Sequence, residues 1–172
     1  MGYSDIKEDQ ERSILDDFIE WLNEDDDKYK LVETPDPPDG VVLDKSDDEK
    51  FWVEVTSAYF DRAWAEDINS YAAPNREHKD MSGKGFGDMD RKVADEIKAI
   101  VQQKMSKSSY GEVYESYGQG ILVVKVYSPW TVGGDVFDYL DDLNDINNET
   151  GYIGEVYLYH DDGDGYQFNE WE

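Results

Sequence analysis

Two short strand-like segments separated by a charged turn constrain this chain more than any other feature. The segments are residues 40–43 and 51–57, and strand-forming residues on either side of a turn predict a β-hairpin. Asp39 begins the first strand and Glu54 lies inside the second. Segments this apolar normally carry Val, Ile or Thr at such positions, so the two carboxylates indicate chemistry.

The spacing of the hairpin predicts its register. A turn centred on residues 46–47 places Val41 opposite Trp52 and Asp39 opposite Glu54. The opposite face of the hairpin is then uniformly apolar, as expected for a half-buried sheet, and carries Val42, Phe51, Val53 and Val55.

Each carboxylate also has a purely structural explanation. Asp39 precedes a glycine and suits an ordinary turn. Glu54 suits the exposed face of an edge strand. Glu11, near the apolar stripe of the first helix, suits a solvated helix surface.

The rest of the chain alternates between helical and strand patterns. Helical periodicity covers residues 4–24, 88–107 and 135–147, and strand patterns cover 28–34, 120–127 and 153–160. This order predicts an α/β protein with an αβββαβ core, in which a mixed central β-sheet is flanked by helices. We expect a single domain over residues 1–172, with a long mobile loop at about 58–88 and a Gly- and Asp-rich tail at 161–172, from which Phe168 and Trp171 fold back.

Composition excludes several classes of protein. Aromatic residues make up 14% of the chain, too many for a disordered protein. The absence of cysteine excludes disulfides, Cys-based zinc sites and a thiol nucleophile, and two histidines make a His-rich metal site unexpected. No apolar stretch approaches the length of a membrane span, so we expect a cytoplasmic protein with no membrane partner.

The net charge of −26 bears directly on the choice of partner. A nucleic-acid-binding protein usually presents a basic patch, and this chain has only 16 Lys and Arg residues against 42 Asp and Glu. An acidic surface that binds a basic partner protein is one interpretation, and one that merely aids solubility is another. Halophilic proteins are also rich in Asp, but they usually favour Arg, whereas here 12 Lys accompany 4 Arg.

Carboxylates on adjacent strands suit a divalent cation. Mg²⁺ takes oxygen ligands, usually one or two carboxylates with water and substrate phosphate. Asp39 and Glu54 supply two such ligands, and the backbone carbonyl of Val55 adds a third. A cation held there would polarise a phosphodiester and lower the pKa of a bound water.

The residues Pro38-Asp39, a gap, and Glu54-Val55-Thr56, within an αβββαβ order, resemble the PD-(D/E)XK superfamily, the restriction-endonuclease-like nuclease fold. The similarity is greatest to bacterial members whose second motif reads EVT, and it extends over roughly residues 5–160. The resemblance implies an Mg²⁺- or Mn²⁺-dependent phosphodiester hydrolase acting on nucleic acid. It implies that Asp39 and Glu54 are metal ligands, that Glu11 is an auxiliary carboxylate, and that Lys104 is a polar active-site residue on the helix after the motif, beside Gln102 and Gln103.

The chain departs from the family pattern at one position. Thr56 stands where the family has the Lys that activates the nucleophilic water, and threonine donates a hydrogen bond but carries no charge. A lysine from elsewhere in the chain would have to replace it, and the sequence offers Lys50, Lys92 and Lys98 without choosing among them.

Two functional hypotheses therefore stand. The first is the metal-dependent nuclease, favoured by a cluster of basic residues that flanks the expected site: Arg76, Lys79, Lys84, Arg91, Lys92, Lys98, Lys104 and Lys107. The second is a degenerate, non-catalytic member of the same fold that binds a basic protein, such as an immunity protein, an anti-restriction factor or a DNA-mimicking inhibitor. The charge of the chain and the missing motif lysine favour the second hypothesis.

Overall fold

A computed structural model describes residues 3–59, 89–128 and 134–172. The helices are α1 (Tyr3–Leu22), α2 (Met89–Met105), α3 (Gly111–Tyr117) and α4 (Gly134–Asp138), with short 3-10 turns at Ser108–Tyr110 and Leu143–Asp145. The strands are β1 (Tyr29–Glu33), β2 (Gly40–Asp44), β3 (Glu49–Tyr59), β4 (Gly120–Tyr127), β5 (Ile153–Asp161) and β6 (Tyr166–Glu170). The predicted α/β class is confirmed. The expected loop at 58–88 lies almost wholly outside the described residues, and β3 extends to Tyr59.

The strands form one open mixed sheet in the order β1-β2-β3-β4-β5-β6. The β1/β2, β2/β3 and β5/β6 pairs are antiparallel, whereas β4 runs parallel to both β3 and β5. Strand β4 therefore lies in the interior of the sheet. Its nearly continuous apolar sequence follows from this position, because a strand between two parallel neighbours is covered on both faces.

The hairpin of β2 and β3 carries buried residues on both faces, which corrects the prediction of a half-buried hairpin. On one face Val41, Trp52 and Leu122 pack with the buried side of α2. On the other face Val42 and Val53 join a second core cluster with residues of α1: Ile14, Leu15 and Phe18. The two clusters lie on opposite sides of the hairpin because successive strand residues point to opposite faces.

The hairpin register matches the sequence prediction. Val41 pairs with Trp52, Leu43 pairs with Lys50, and the turn falls between Asp44 and Glu49. The same register places Asp39, one residue before β2, opposite Glu54 on β3.

The predicted helix over 135–147 is wrong beyond Asp138. The carbonyl oxygens that a continuing helix would use are taken by distant side chains. Lys98 Nζ donates to the Tyr139 oxygen at 2.8 Å, and Trp171 Nε1 donates to the Asp141 oxygen at 3.0 Å. Asp141 also has a left-handed backbone, with φ of 61°. Tertiary contacts therefore override the local helical pattern.

The acidic tail contributes a sixth strand that the sequence did not predict, although the expected return of its aromatic residues is confirmed. Phe168 on β6 stacks on Tyr159 of β5 with ring centroids 4.1 Å apart, and Trp171 is buried. These contacts hold the tail along β5 in spite of its Gly and Asp content. Helix α3 was also missed.

Candidate active site

The site is built where the loop before β2 meets β3 and the end of α2. The side chain of Asp39 reaches across the hairpin, where its Oδ2 accepts a hydrogen bond from the Val55 amide at 2.7 Å. This contact fixes the carboxylate against β3 and leaves Oδ1 without a hydrogen bond within the described part of the chain. Asp39 is therefore more than an ordinary turn residue.

Glu54 lies on the interior strand β3 and is 5% exposed, so its explanation as an edge-strand surface residue is wrong. Its Oε1 accepts two hydrogen bonds, from Lys104 Nζ at 2.6 Å and from the Tyr110 hydroxyl at 2.9 Å. The ring of Tyr110 packs on Trp52 with centroids 5.1 Å apart. The core thus holds Tyr110 in place, and Tyr110 in turn orients Glu54.

Lys104 brings a positive charge to the carboxylate of Glu54. Its side chain is only 12% exposed and that of Glu54 only 7%, so the ion pair is largely shielded from water. The other lysines considered from the sequence lie elsewhere. Lys50 pairs with Glu33, Lys98 pairs with Asp141, and Lys92 is exposed on α2.

Thr56 follows Glu54 on the same face of β3 and is buried. It is not among the described residues that line the cleft at the site. The structure thus brings Asp39, Glu54 and Lys104 together in the cleft, and Thr56 is not part of its described lining. The contact that Val55 makes in this site comes from its amide rather than its carbonyl.

Glu11 lines the same cleft from α1 and pairs with Lys7 at 3.1 Å. The negative charge of Glu11 raises the pKa of Asp39, but Glu11 does not complete a metal-binding group with the other two carboxylates. Among the described residues, no set of three or more His, Asp or Glu side chains is arranged to hold a metal ion. Any cation here would rest on two carboxylates.

Asp39 is an unusually weak acid, mainly because it is buried. Burial and then the negative charge of Glu54 together raise the pKa of the Asp39 carboxyl to about 7, against the opposing effect of the Val55 hydrogen bond. Glu11 adds to the increase, and Lys104 reduces it. An excess of negative charge at a partly buried carboxylate pair is the electrostatic environment that a divalent cation relieves.

The cleft around these residues has a volume of about 680 Å³. Its described lining includes six carboxylates and four cations. The carboxylates are Glu8, Asp9, Glu11, Asp36, Asp39 and Glu54, and the cations are Lys7, Arg12, Lys104 and Lys107. Four of the 12 Lys and Arg residues in the described part of the chain therefore line one cleft, an unusual concentration in a chain this acidic.

Sequence reasoning missed Tyr110, and it named Lys107 only as one of the basic residues that flank the expected site. Tyr110 follows no motif, so only the fold reveals that its hydroxyl meets Glu54. Lys107 lies three residues after Lys104, a spacing that places side chains near one another at the end of a helix. From that spacing the sequence could have placed Lys107 beside Lys104.

No protein-family model, curated protein or solved structure matches this chain. Within the described ranges, no helix has the length and apolarity needed to cross a membrane.

Asp39→Asn is expected to stabilise the protein above neutral pH when divalent cations are absent. The pKa of Asp39 is about 7 in the fold against an ordinary 3.8, so the folded chain retains a proton that the unfolded chain releases between these values. The free energy of unfolding therefore falls as pH rises through this window. Asparagine keeps an acceptor for the Val55 amide and removes the charge, so we expect a gain of about 1–3 kcal/mol near pH 8, discounted for partial exposure.

Urea unfolding in EDTA across this pH range measures the effect. The gain should shrink towards zero near pH 4. Asp25→Asn, at an exposed position after α1, is the control and should change stability by less than about 0.5 kcal/mol. A pH-independent difference between wild type and Asp39→Asn would contradict the raised pKa.

Proposed function

We propose that this protein is a divalent-cation-dependent phosphodiesterase acting on nucleic acid, on a fold similar to that of the PD-(D/E)XK nucleases. One observation carries the proposal. The structure brings the carboxylates of Asp39 and Glu54 into one cleft with Lys104, a lysine from another element that would provide the charge absent at Thr56.

Two carboxylate oxygen atoms remain available to an Mg²⁺ or Mn²⁺ ion. The hydrogen bonds described for the two carboxylates engage Oδ2 of Asp39 and Oε1 of Glu54, which leaves Oδ1 and Oε2 as ligands. Two carboxylates completed by water and substrate oxygens are usual for Mg²⁺. A cation bound there would polarise the phosphodiester and acidify a bound water.

The chain's own residues would position the reaction. Lys104 uses one of its three ammonium donors on Glu54, and its other donors can orient the attacking water or a phosphate oxygen. Tyr110 holds Glu54 in its rotamer through the second hydrogen bond to Oε1. Water would add across the phosphorus–oxygen bond, giving a phosphate monoester and a free hydroxyl.

Cleavage assays with Asp39→Asn test this proposal. Wild-type protein should cleave single- or double-stranded DNA or RNA in Mg²⁺ or Mn²⁺, and EDTA should abolish the cleavage. Asp39→Asn should lower the rate by about a thousandfold, because metal-ion stabilisation of the transition state is worth several kcal/mol. Asp25→Asn, at an exposed position outside the cleft, serves as the matched control and should retain wild-type activity.

Cation binding can be measured independently of cleavage. Mg²⁺ should raise the melting temperature of the wild type and leave that of Asp39→Asn nearly unchanged, because a ligand stabilises only the state that binds it. Failure of the wild type to cleave every nucleic acid, with no stabilisation by Mg²⁺ or Mn²⁺, would refute the proposal.

The net charge of −26 favours a second candidate, a non-catalytic acidic protein that occupies the nucleic-acid site of a basic partner. Its test is competition. A purified DNA-binding protein retained on the immobilised chain should be released by DNA fragments and by salt. Retention that DNA does not relieve would contradict mimicry.

A further inference from the structure

Lys107 differs from the other cations of the cleft in its ionic partners. Lys7 pairs with Glu11, Arg12 with Asp16, and Lys104 with Glu54. Lys107 lines the same cleft, yet it has no carboxylate within ion-pair distance in the described ranges. A cation kept at a cleft without a counter-ion is available to bind an anion.

The surroundings of Lys107 hold its ammonium group beside other cations. It lies after the end of α2, with Nζ 5.8 Å from the centroid of the Tyr110 ring. The pKa of Lys107 is lowered, mainly by desolvation and then by the positive charge of Lys104, whereas the negative charge of Glu54 has the opposite effect. Lys7 adds a third positive charge to the group. An incoming anion would relieve this repulsion.

We propose that Lys107 binds a phosphate group of the substrate strand, next to the phosphodiester held at Asp39 and Glu54, with the Ser109 hydroxyl as a second donor. The inference rests on the proposed function and specifies where in the cleft the strand lies. Lys107 is a positioning residue in this scheme, because the phosphate it binds is not the one that reacts.

The chemistry of the cleft favours a phosphate over other anions. Hydrogen bonds from an ammonium group to phosphate oxygens are charge-assisted and strong. The six carboxylates would repel an isolated anion across most of the cleft, whereas a strand can place one phosphate at Lys107 and the next at a cation between Asp39 and Glu54. Strand and cation binding should therefore strengthen each other.

Lys107→Gln, with Lys92→Gln as control, tests the site. Lys92 is exposed on α2, so the control removes the same charge outside the cleft. The probe is a short fluorescent single-stranded DNA, and anisotropy is recorded in Ca²⁺ over a range of salt concentrations. We expect Lys107→Gln to weaken binding about tenfold and to reduce the slope of log K against log salt by about 0.7. Lys92→Gln should bind within about twofold of wild type.

Two further measurements separate positioning from a structural role. In cleavage assays Lys107→Gln should raise KM with little change in kcat, and Lys107→Arg should restore most of the affinity because it keeps the charge. Urea unfolding should show no loss of stability in Lys107→Gln, because the removed charge has like-charged neighbours.

The outcomes for this site and for the proposed function are distinguishable. Lys107-dependent binding without cleavage by the wild type would support the phosphate site and refute the nuclease. Cleavage that depends on Asp39, with binding and salt slope unchanged in Lys107→Gln, would overturn the phosphate site and leave the nuclease standing. A wild type that does not bind the strand would overturn the site as well.

Discussion

Glu54→Ala is expected to lower the free energy of unfolding by about 3 kcal/mol, the lower end of the range for removing one partner of a buried ion pair. The substitution leaves the Lys104 ammonium in a nearly closed position without its carboxylate, which now lies 2.6 Å from it. The Tyr110 hydroxyl, on a fully buried side chain, loses its acceptor in the same change. The remaining charge on Asp39 limits the loss, because it also interacts with Lys104.

Urea unfolding of single and double variants measures this coupling. Glu54→Leu combined with Lys104→Met should recover most of the lost stability, since apolar residues of similar size replace both charges. The same double variant should show no cleavage, which would separate the stability of the fold from its activity. Equal stability of Glu54→Ala and wild type would show that the ion pair is not shielded from water.

Gly120→Ala is expected to destabilise the protein by about 3 kcal/mol through overpacking. A Cβ atom at Gly120 would lie 2.2 Å from Cδ2 and Cε2 of the Trp52 indole. Trp52 cannot readily move aside, because its Nε1 donates to the Gly118 oxygen at 2.8 Å and its ring packs on Tyr110. Any shift of the indole would also displace Tyr110 and, through its hydroxyl, Glu54.

Gly111→Ala provides the matched control. Gly111 has ordinary helical angles (φ −58°, ψ −45°), and the nearest atom to an added Cβ is the Tyr152 hydroxyl at 3.4 Å. We expect this variant to be neutral or more stable by up to about 1 kcal/mol, since alanine restricts the unfolded chain. Thermal unfolding of both variants measures the contrast. Similar melting temperatures for Gly120→Ala and wild type would contradict the packing of Trp52 against β4.

The hairpin shows how far a local pattern predicts structure. The apolar spacing was sufficient for the register, because a slip of one residue would exchange Val41 and Val42 between the two faces. The same pattern did not reveal that both faces are covered. That depends on where α1 and α2 pack, and packing of a distant helix is not encoded in the spacing of a strand.

The candidate site, like the hairpin, was predicted only in part from the sequence. Asp39 and Glu54 were predicted because a carboxylate in an apolar strand is anomalous at the level of sequence. Lys104 was named only for its place on the helix after the motif, and nothing in the sequence favoured it over Lys50, Lys92 or Lys98. Its selection depends on contact between residues 50 positions apart in the chain and on which turn of α2 meets β3.

The sequence by itself determined the α/β class, the hairpin register and the choice of Asp39 and Glu54 as candidates, because each follows from periodicity or from a residue type out of place over a few positions. Only the tertiary structure decided that Lys104 and Tyr110 share one oxygen of Glu54 and that Lys107 has no carboxylate partner in the described ranges. It also decided that helix α4 ends at Asp138. These depend on contacts between residues far apart in the chain, whose free energies outweigh local propensity and leave no periodic trace in the sequence.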